Sequence, residues 1–297
     1  MGKLFFKALS LLCAVSILVI PFDTSAYYSN EYDEIRAICS AISGAYKKSD
    51  DTLRILSYNV LSDGIGFEGA PSSQRQDGLI CTLTALSPDI LCLQEVSRGW
   101  LTIIKNNTPF TSVEGIKTEI AGLMTTIFYD EETVELKEWG NEVYNTGGDY
   151  RMRRAVWGLF EIKSTGKLVC VVSTHFNITK ATDTYSSAQA MELLSIVEGL
   201  SNKFTCPIFV AGDFNAKKRT SVTYPSSSIY EMLSAHLTDT DRIAEMISTC
   251  DKGTKPSSTV DHIFLKGKAE IKRYVVLSNK EFLNISDHYP IFIDVEM

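Results

Sequence analysis

Asn59, Glu95, His175, Asp213, Asn215, Asp261, Asp287 and His288 each lie at or beside the end of an apolar run in a chain of 297 residues. ILSYN stops at Asn59, ILCLQE at Glu95, VCVVSTH at His175, and IFVAGDFN at Asp213 and Asn215. STVDHIF carries Asp261 near its start, and NISDHYPIF carries Asp287 and His288 just ahead of the final run. Singly, each has an ordinary explanation. An Asn or Asp at a strand end is usually a turn former, a Glu after an apolar strand a solvated edge, and a His beside an Asp an exposed pair. Together they describe a chemistry. Glu95 and Asp287 are hard oxygen donors suited to Mg2+ or Mn2+. Asn59 and Asn215 are neutral and orient water or phosphate oxygens without repelling an anion. Asp213 can accept a proton from attacking water. His175 and His288 can donate hydrogen bonds to a phosphate, and Asp261 can hold one imidazole charged or correctly turned. The set suits metal-assisted hydrolysis of a phosphoester. A GxSxG nucleophile elbow is missing, and so is a cysteine with a local catalytic signature.

These groups need rigid mounts, and strand ends supply them. RILSYNV (54–60), DILCLQEV (89–96), TTIFYD (125–130), AVWGLFEI (155–162), LVCVVSTHF (168–176), PIFVAGDF (207–214), TVDHIFLKG (259–267), RYVVLSN (273–279) and YPIFIDVEM (289–297) read as strands. Several are nearly continuous apolar runs, as expected of strands covered on both faces. Ala190, Leu193, Leu194 and Val197 follow helical spacing and predict a buried helix face. Strands mixed with helices throughout predict an α/β layered fold. His262 is one step from Asp261 on its strand and points to the opposite face, so it is read as structural. His236 lies in a Ser/Ala/Leu stretch and is incidental.

The formal net charge is −7, which does not favour uniform steering of nucleic acid, although a bound metal supplies local positive charge. Lys3 and Lys7, an apolar run from Ala8 to Phe22, and Thr24-Ser25-Ala26 read as a cleaved signal peptide over 1–26. Secretion, with no stable membrane insertion afterwards, is the expectation. Residues 27–50 read as an extension in which Ile35, Ile38 and Ile42 fit a short amphipathic helix, and 51–297 as the catalytic domain. Cys92 and Cys170 read as buried thiols. Cys206 and Cys250 are a candidate disulfide in an exported chain.

Tyr58-Asn59, LQEV (93–96), STH (173–175), GDFNA (212–216), VDHIF (260–264) and SDHYP (286–290) resemble the motifs of the endonuclease/exonuclease/phosphatase superfamily, in its order. The resemblance spans residues 54–297. It implies a four-layer α/β sandwich, two packed mixed sheets flanked by helices. It also implies Glu95 as the main Mg2+ ligand with Asn59 and Asp287 close by, and Asp213 activating water with help from Asn215. His288 would pair with Asp261 and stabilise the pentavalent transition state, and His175 would contact the scissile phosphate. Two departures stand out. THFN places Asn177 where relatives often carry Asp, and GLMTTIFY places Leu123 and Met124 where some carry an acidic support for the first His. Asn177 and the arginines of YRMRRAVW, Arg151, Arg153 and Arg154, are the substrate-binding candidates.

The leading expectation is a monomeric phosphodiesterase acting on nucleic acid. A sphingomyelinase- or inositol-phosphatase-type enzyme is the alternative on the same scaffold, and a non-catalytic binding module is a third. The intact metal and acid–base set argues against the third.

Overall fold

The apolar runs become strands because their side chains are buried on both faces. In a computed structural model these are β1 (Thr52–Asn59), β2 (Ile90–Val96), β4 (Met124–Tyr129), β6 (Arg154–Ile162), β7 (Leu168–His175), β8 (Ile208–Asp213), β11 (Asp261–Lys266), β12 (Glu270–Val276) and β13 (Ile291–Glu296). Four strands were not anticipated: β3 (Thr111–Ser112), β5 (Val134–Val143), β9 (Thr238–Asp239) and β10 (Met246–Ser248). The described residues are 39–62, 73–113, 124–145, 153–177, 185–218, 227–248, 253–279, 282 and 284–297, with 41 and 257 excepted. The signal segment, Ile35, Ile38, Leu123, Arg151 and Cys250 lie outside them.

The strands form two mixed sheets. One runs β10-β12-β13-β1-β2-β4-β3 and the other β5-β6-β7-β8-β11-β9. Val156, Phe160, Val169, Val171, Phe209, Ala211 and Ile263 from the second sheet share one core with β1, β2 and β13 of the first, so the sheets pack face to face. Helices α1 (Ser73–Leu86) and α2 (Arg98–Asn107) add Leu79, Leu83, Trp100 and Ile104 to that core. Helices α3 (Tyr185–Lys203) and α4 (Ser228–His236) cover the other face of the second sheet, with Ala190, Leu193, Val197, Tyr230 and Leu233 packed on Val172 and Val210. The architecture is the α/β sandwich expected from the motifs. Of the anticipated α3 face, Leu194 is only partly buried, while Gln189 and Leu200 are buried in its place.

Two features depart from the reading of the sequence. Cys206 is a free thiol, and the disulfide joins Cys39 to Cys81 with a Cα separation of 6.0 Å. Candidate pairing by position along the chain failed because α1 brings Cys81 to the extension. The extension is held there by more than sulfur. Ile42 joins the core, Tyr46 meets the Phe292 ring edge-on at 5.6 Å, and Lys48 pairs with Asp89 at 2.6 Å. Cys92 and Cys170 are buried thiols, as expected. The second feature is Arg54, a buried charged residue on the helix-covered face of the first sheet. Its guanidinium donates to both Asp294 oxygens at 2.7 and 2.9 Å and to the Leu86 carbonyl at 2.6 Å, and lies over the Phe292 ring. A buried charge needs such complete pairing.

Candidate active site

Strand direction brings the polar residues to one rim. β1 and β2 run parallel, so Asn59 and Glu95 end side by side. β7 and β8 also run parallel, and His175 is the register partner of Asp213. β11 is antiparallel to β8 and starts where β8 ends, with Asp261 opposite Asp213. β13 is antiparallel to β1, so the segment just before it, with Asp287 and His288, reaches the same rim. One sheet thus carries Asn59, Glu95, Asp287 and His288; the other carries His175, Asp213, Asn215 and Asp261.

Polar bonds cross between the sheets here. Asn59 Nδ2 donates to Asp213 Oδ2 at 3.1 Å and to Glu95 Oε1 at 3.1 Å. Its Oδ1 accepts the Leu61 N–H at 3.0 Å, which turns the NH2 group toward the two carboxylates. Leu61 is held at φ 53 by further donors to its carbonyl, the Trp100 indole at 3.1 Å and the Arg75 guanidinium. Arg75 also donates to the Val60 and Ile285 carbonyls, both at 2.8 Å, so it ties the end of β1 to the segment before Asp287. Deeper, Gln94 Nε2 lies 3.4 Å from Ser57 Oγ and from Ser173 Oγ.

Backbone strain marks two of the site residues. Glu95 sits at φ 60, where the register of β2 against β4 shifts between Leu93 and Val96. A bulge re-aims a side chain, and a non-glycine residue in this region costs roughly 1–3 kcal/mol. Asn215 has φ 48 and its N–H donates to Asp213 Oδ1 at 2.9 Å, bending the chain back under the carboxylate. Gly212, just before, admits no side chain, because a Cβ there would stand 2.0 Å from the Thr174 carbonyl oxygen.

The histidines differ in environment. His288 Nδ1 is 2.9 Å from Asp261 Oδ2 and its Nε2 is 3.5 Å from Asp213 Oδ2. Burial alone would lower its pKa, but Asp261 and then Asp213 outweigh burial and raise it to about 9. It is therefore an imidazolium at neutral pH. His175 Nε2 lies 3.4 Å from Asp213 Oδ2 and 3.5 Å from Asn215 Nδ2. Burial, and after it the nearby charges of Arg153, His288 and Lys255, push its pKa well below the usual histidine value, so it is neutral. Its support comes from Asp213 and Asn215 rather than from an acidic residue on β4. The Asp213 carboxyl is raised to about 6, by burial first and by Asp261 second.

The donor set fits a hard divalent cation. Glu95 is half-buried, and its hydrogen bonds among the described residues come from neutral groups, the Asn59 amide and the Ser62 N–H at 3.2 Å. The Arg75 guanidinium bears on its charge from a distance. Asp287 is half-exposed and pairs with Lys255 at 2.6 Å. A second donor group, Asp213, Asp261 and His288, has ligand atoms all within 4.8 Å of one another. There both Asp261 oxygens already face His288 Nδ1, at 3.0 and 2.9 Å.

The remaining candidates are placed as follows. Arg153 Nε donates to Asn177 Oδ1 at 3.1 Å, and Asn177 is buried. Arg154, the next residue, is also buried, and strand alternation sends it with Val156 to the face between the sheets. His262 turns away from the site, where Nε2 meets the Ala216 carbonyl at 2.9 Å. The sequence reading missed Lys255 and Arg75. Both contribute charge near the site from segments with no apolar run to flag them.

The Endonuclease/Exonuclease/phosphatase family profile matches residues 56–288. Nocturnin of Mus musculus is 20% identical over 253 residues, 78% of this chain and 56% of the mouse protein. The chain thus spans little more than half the length of that relative. Among solved structures, a mannosyl-6-phosphatase of Bacteroides thetaiotaomicron superposes with a TM-score of 0.67 at 19% identity, over 82% of this chain and 100% of its own. TDP2 of D. rerio, solved with a single-strand DNA product, superposes with a TM-score of 0.63 at 18% identity, over 84% and 100%.

Proposed function

The chain belongs to the endonuclease/exonuclease/phosphatase family, and from that premise we propose that it is a metal-dependent phosphoester hydrolase, an exported phosphodiesterase acting on nucleic acid with Mg2+ as its cation. The observation that carries the reading is the convergence of Asp213, a buried carboxylate, with the imidazolium of His288 and the neutral His175 within 3.5 Å. A base and two hydrogen-bond donors then face one small volume.

We assign the cation to Glu95 and Asp287, with Asn59 acting through its grip on Glu95. When bound, the ion supplies Lewis acidity to a phosphoryl oxygen. Asp213 takes the proton of the attacking water, which Asn215 orients. The imidazolium of His288, kept charged by Asp261, faces the negative charge that develops on the phosphoryl oxygens. His175 is a hydrogen-bond donor to the phosphate, since it holds no spare proton at neutral pH. Arg153, through its bond to Asn177, stands on the His175 side as the first substrate cation, with Arg151 and Arg154 beside it in sequence.

The DNA product carried by one structural neighbour supports nucleic acid as the substrate. A second reading, hydrolysis of a sugar or inositol phosphate monoester, is favoured by the charges of Arg153 and Lys255, which both bear on His175 and suit a dianionic group. A panel of plasmid DNA, single-stranded DNA, RNA, sphingomyelin, inositol phosphates and hexose 6-phosphates with Mg2+ separates these. Cleavage of DNA or RNA is the expected result; release of inorganic phosphate alone, with every nucleic acid intact, replaces the first reading by the second.

Export follows from the basic start, the short apolar run and Thr24-Ser25-Ala26. Protein recovered from outside its native cells should begin near Tyr27 by mass. An intact Met1 in the membrane fraction would replace the cleaved signal with an anchor.

A further inference from the structure

Lys255 lies outside every motif, yet its ammonium is 2.6 Å from Asp287 Oδ2. The backbone that carries it is pinned on both sides. Thr254 is fully buried; its hydroxyl oxygen accepts the N–H groups of Val260 and Asp261 at 3.0 and 3.1 Å, and its carbonyl accepts the Tyr289 N–H at 2.8 Å. Lys255 N–H donates to the Ser258 carbonyl at 2.8 Å, closing a tight turn. Gly253 opens that turn at φ 74, where a Cβ would meet the Ser258 carbonyl oxygen at 2.6 Å. The described part of the turn is thus fixed to the strand of Asp261 and to the segment of His288, which leaves reorientation to the lysine side chain. Its side chain is 30% exposed and that of Asp287 is 49% exposed.

A partly exposed pair of this kind is weak, so either partner is readily exchanged. An ammonium and a divalent cation cannot share one carboxylate oxygen without strong repulsion. Resting on the assignment of Asp287 to the cation, we propose that Lys255 is the resident counter-ion of Asp287 in the metal-free protein, that the divalent cation displaces it, and that the released ammonium binds the phosphate of the substrate. The pinned turn limits where the ammonium can go. The charge of Lys255 already bears on both His288 and His175, the two groups that face the phosphate. Metal binding would then create a substrate cation as well as a metal centre, without any movement of the backbone.

The proposal sets opposite signs on two binding measurements. In Lys255→Met, calorimetric titration of Mn2+ into the metal-free protein should show tighter binding by about two- to fivefold, the range expected when a competing exposed ion pair is removed. Titration of inorganic phosphate into the Mn2+-loaded protein should show binding weakened by roughly tenfold, as for loss of a charge-assisted hydrogen bond. Lys255→Arg, which keeps the charge, should stay close to the wild type in both. An Mn2+ affinity that is unchanged or weaker in Lys255→Met overturns the exchange. A phosphate affinity that is unchanged overturns the substrate role. Neither titration requires turnover, so a protein that hydrolyses no member of the substrate panel would refute the proposed function while leaving both readouts intact.

Discussion

Chelation of divalent cations abolishes turnover, and Glu95→Ala does nearly the same at ordinary metal concentrations: this is the first and largest effect expected. Removing partners in the outer shell of a metal site typically weakens affinity by roughly 10–100-fold, and loss of a primary carboxylate should exceed that. The fold should tolerate the change. Glu95 is half-buried and lies at the end of β2; of its partners, the Ser62 N–H can turn to water, and the Asn59 amide keeps its bond to Asp213. The expected outcome is therefore an unchanged far-UV spectrum, a metal-free melting temperature near that of the wild type, and recovery of activity only at much higher Mg2+ or Mn2+. Full activity in excess chelator would remove the metal from the mechanism. Full activity of Glu95→Ala at low Mg2+ would move the cation to the group of Asp213, Asp261 and His288.

The second large effect is on the chemical step itself. A positioned general base contributes roughly 10²–10⁴-fold. Asp213→Asn keeps the shape of the side chain but turns an NH2 toward one of its two donors, the Asn59 amide or the Asn215 N–H, and it removes both the basic oxygen and a charge that helps to hold His288 protonated. His288→Ala removes the imidazolium and leaves Asp261 buried without its partner. Both variants should lose at least about a hundredfold in kcat on the true substrate. They should differ in stability. Asp213→Asn relieves a carboxyl that burial already disfavours as an anion, whereas His288→Ala strands a buried charge and should melt lower. Steady-state kinetics beside thermal melts checks both. Near wild-type kcat in either variant would refute the role given to that residue.

The meeting of these groups at one rim was legible in the sequence because each lies at or beside an end of a strand that is apolar for a simple reason: both of its faces are covered. The run leading to Asp213 has nothing polar until Gly212-Asp213, and β8 is buried throughout. β5 was missed for the converse reason. VELKEWGNEV is buried only at Val134 and is otherwise partly or fully exposed at the edge of its sheet, and its charged residues conceal the strand. The same limit applies to Arg75 and Lys255. Arg75 acts by three backbone carbonyls drawn from just after β1 and from beyond residue 280, a convergence that only the folded chain creates. The Cys39–Cys81 link is a similar case, since its sequence separation of 42 carries no signature of its own. His262, by contrast, was placed correctly from strand alternation alone, on the face away from Asp261.

The division of the site between two sheets has a consequence for how its activity responds to distant changes. Asn59 and Asp213 meet at 3.1 Å, and His288 and Asp261 at 2.9 Å, each pair with one member in either sheet. Among the described residues no hydrogen-bonded ladder joins the two sheets; side-chain packing, with residues such as Phe160, Phe209 and Ile293 between them, sets their offset. The catalytic cluster therefore works as a vernier, in which a slip of a few tenths of an ångström between two large bodies is read as misalignment of base and imidazolium. Turnover is in that sense a gauge of interior packing far from the rim, and the enzyme's tolerance to core substitutions is bounded by alignment before it is bounded by unfolding.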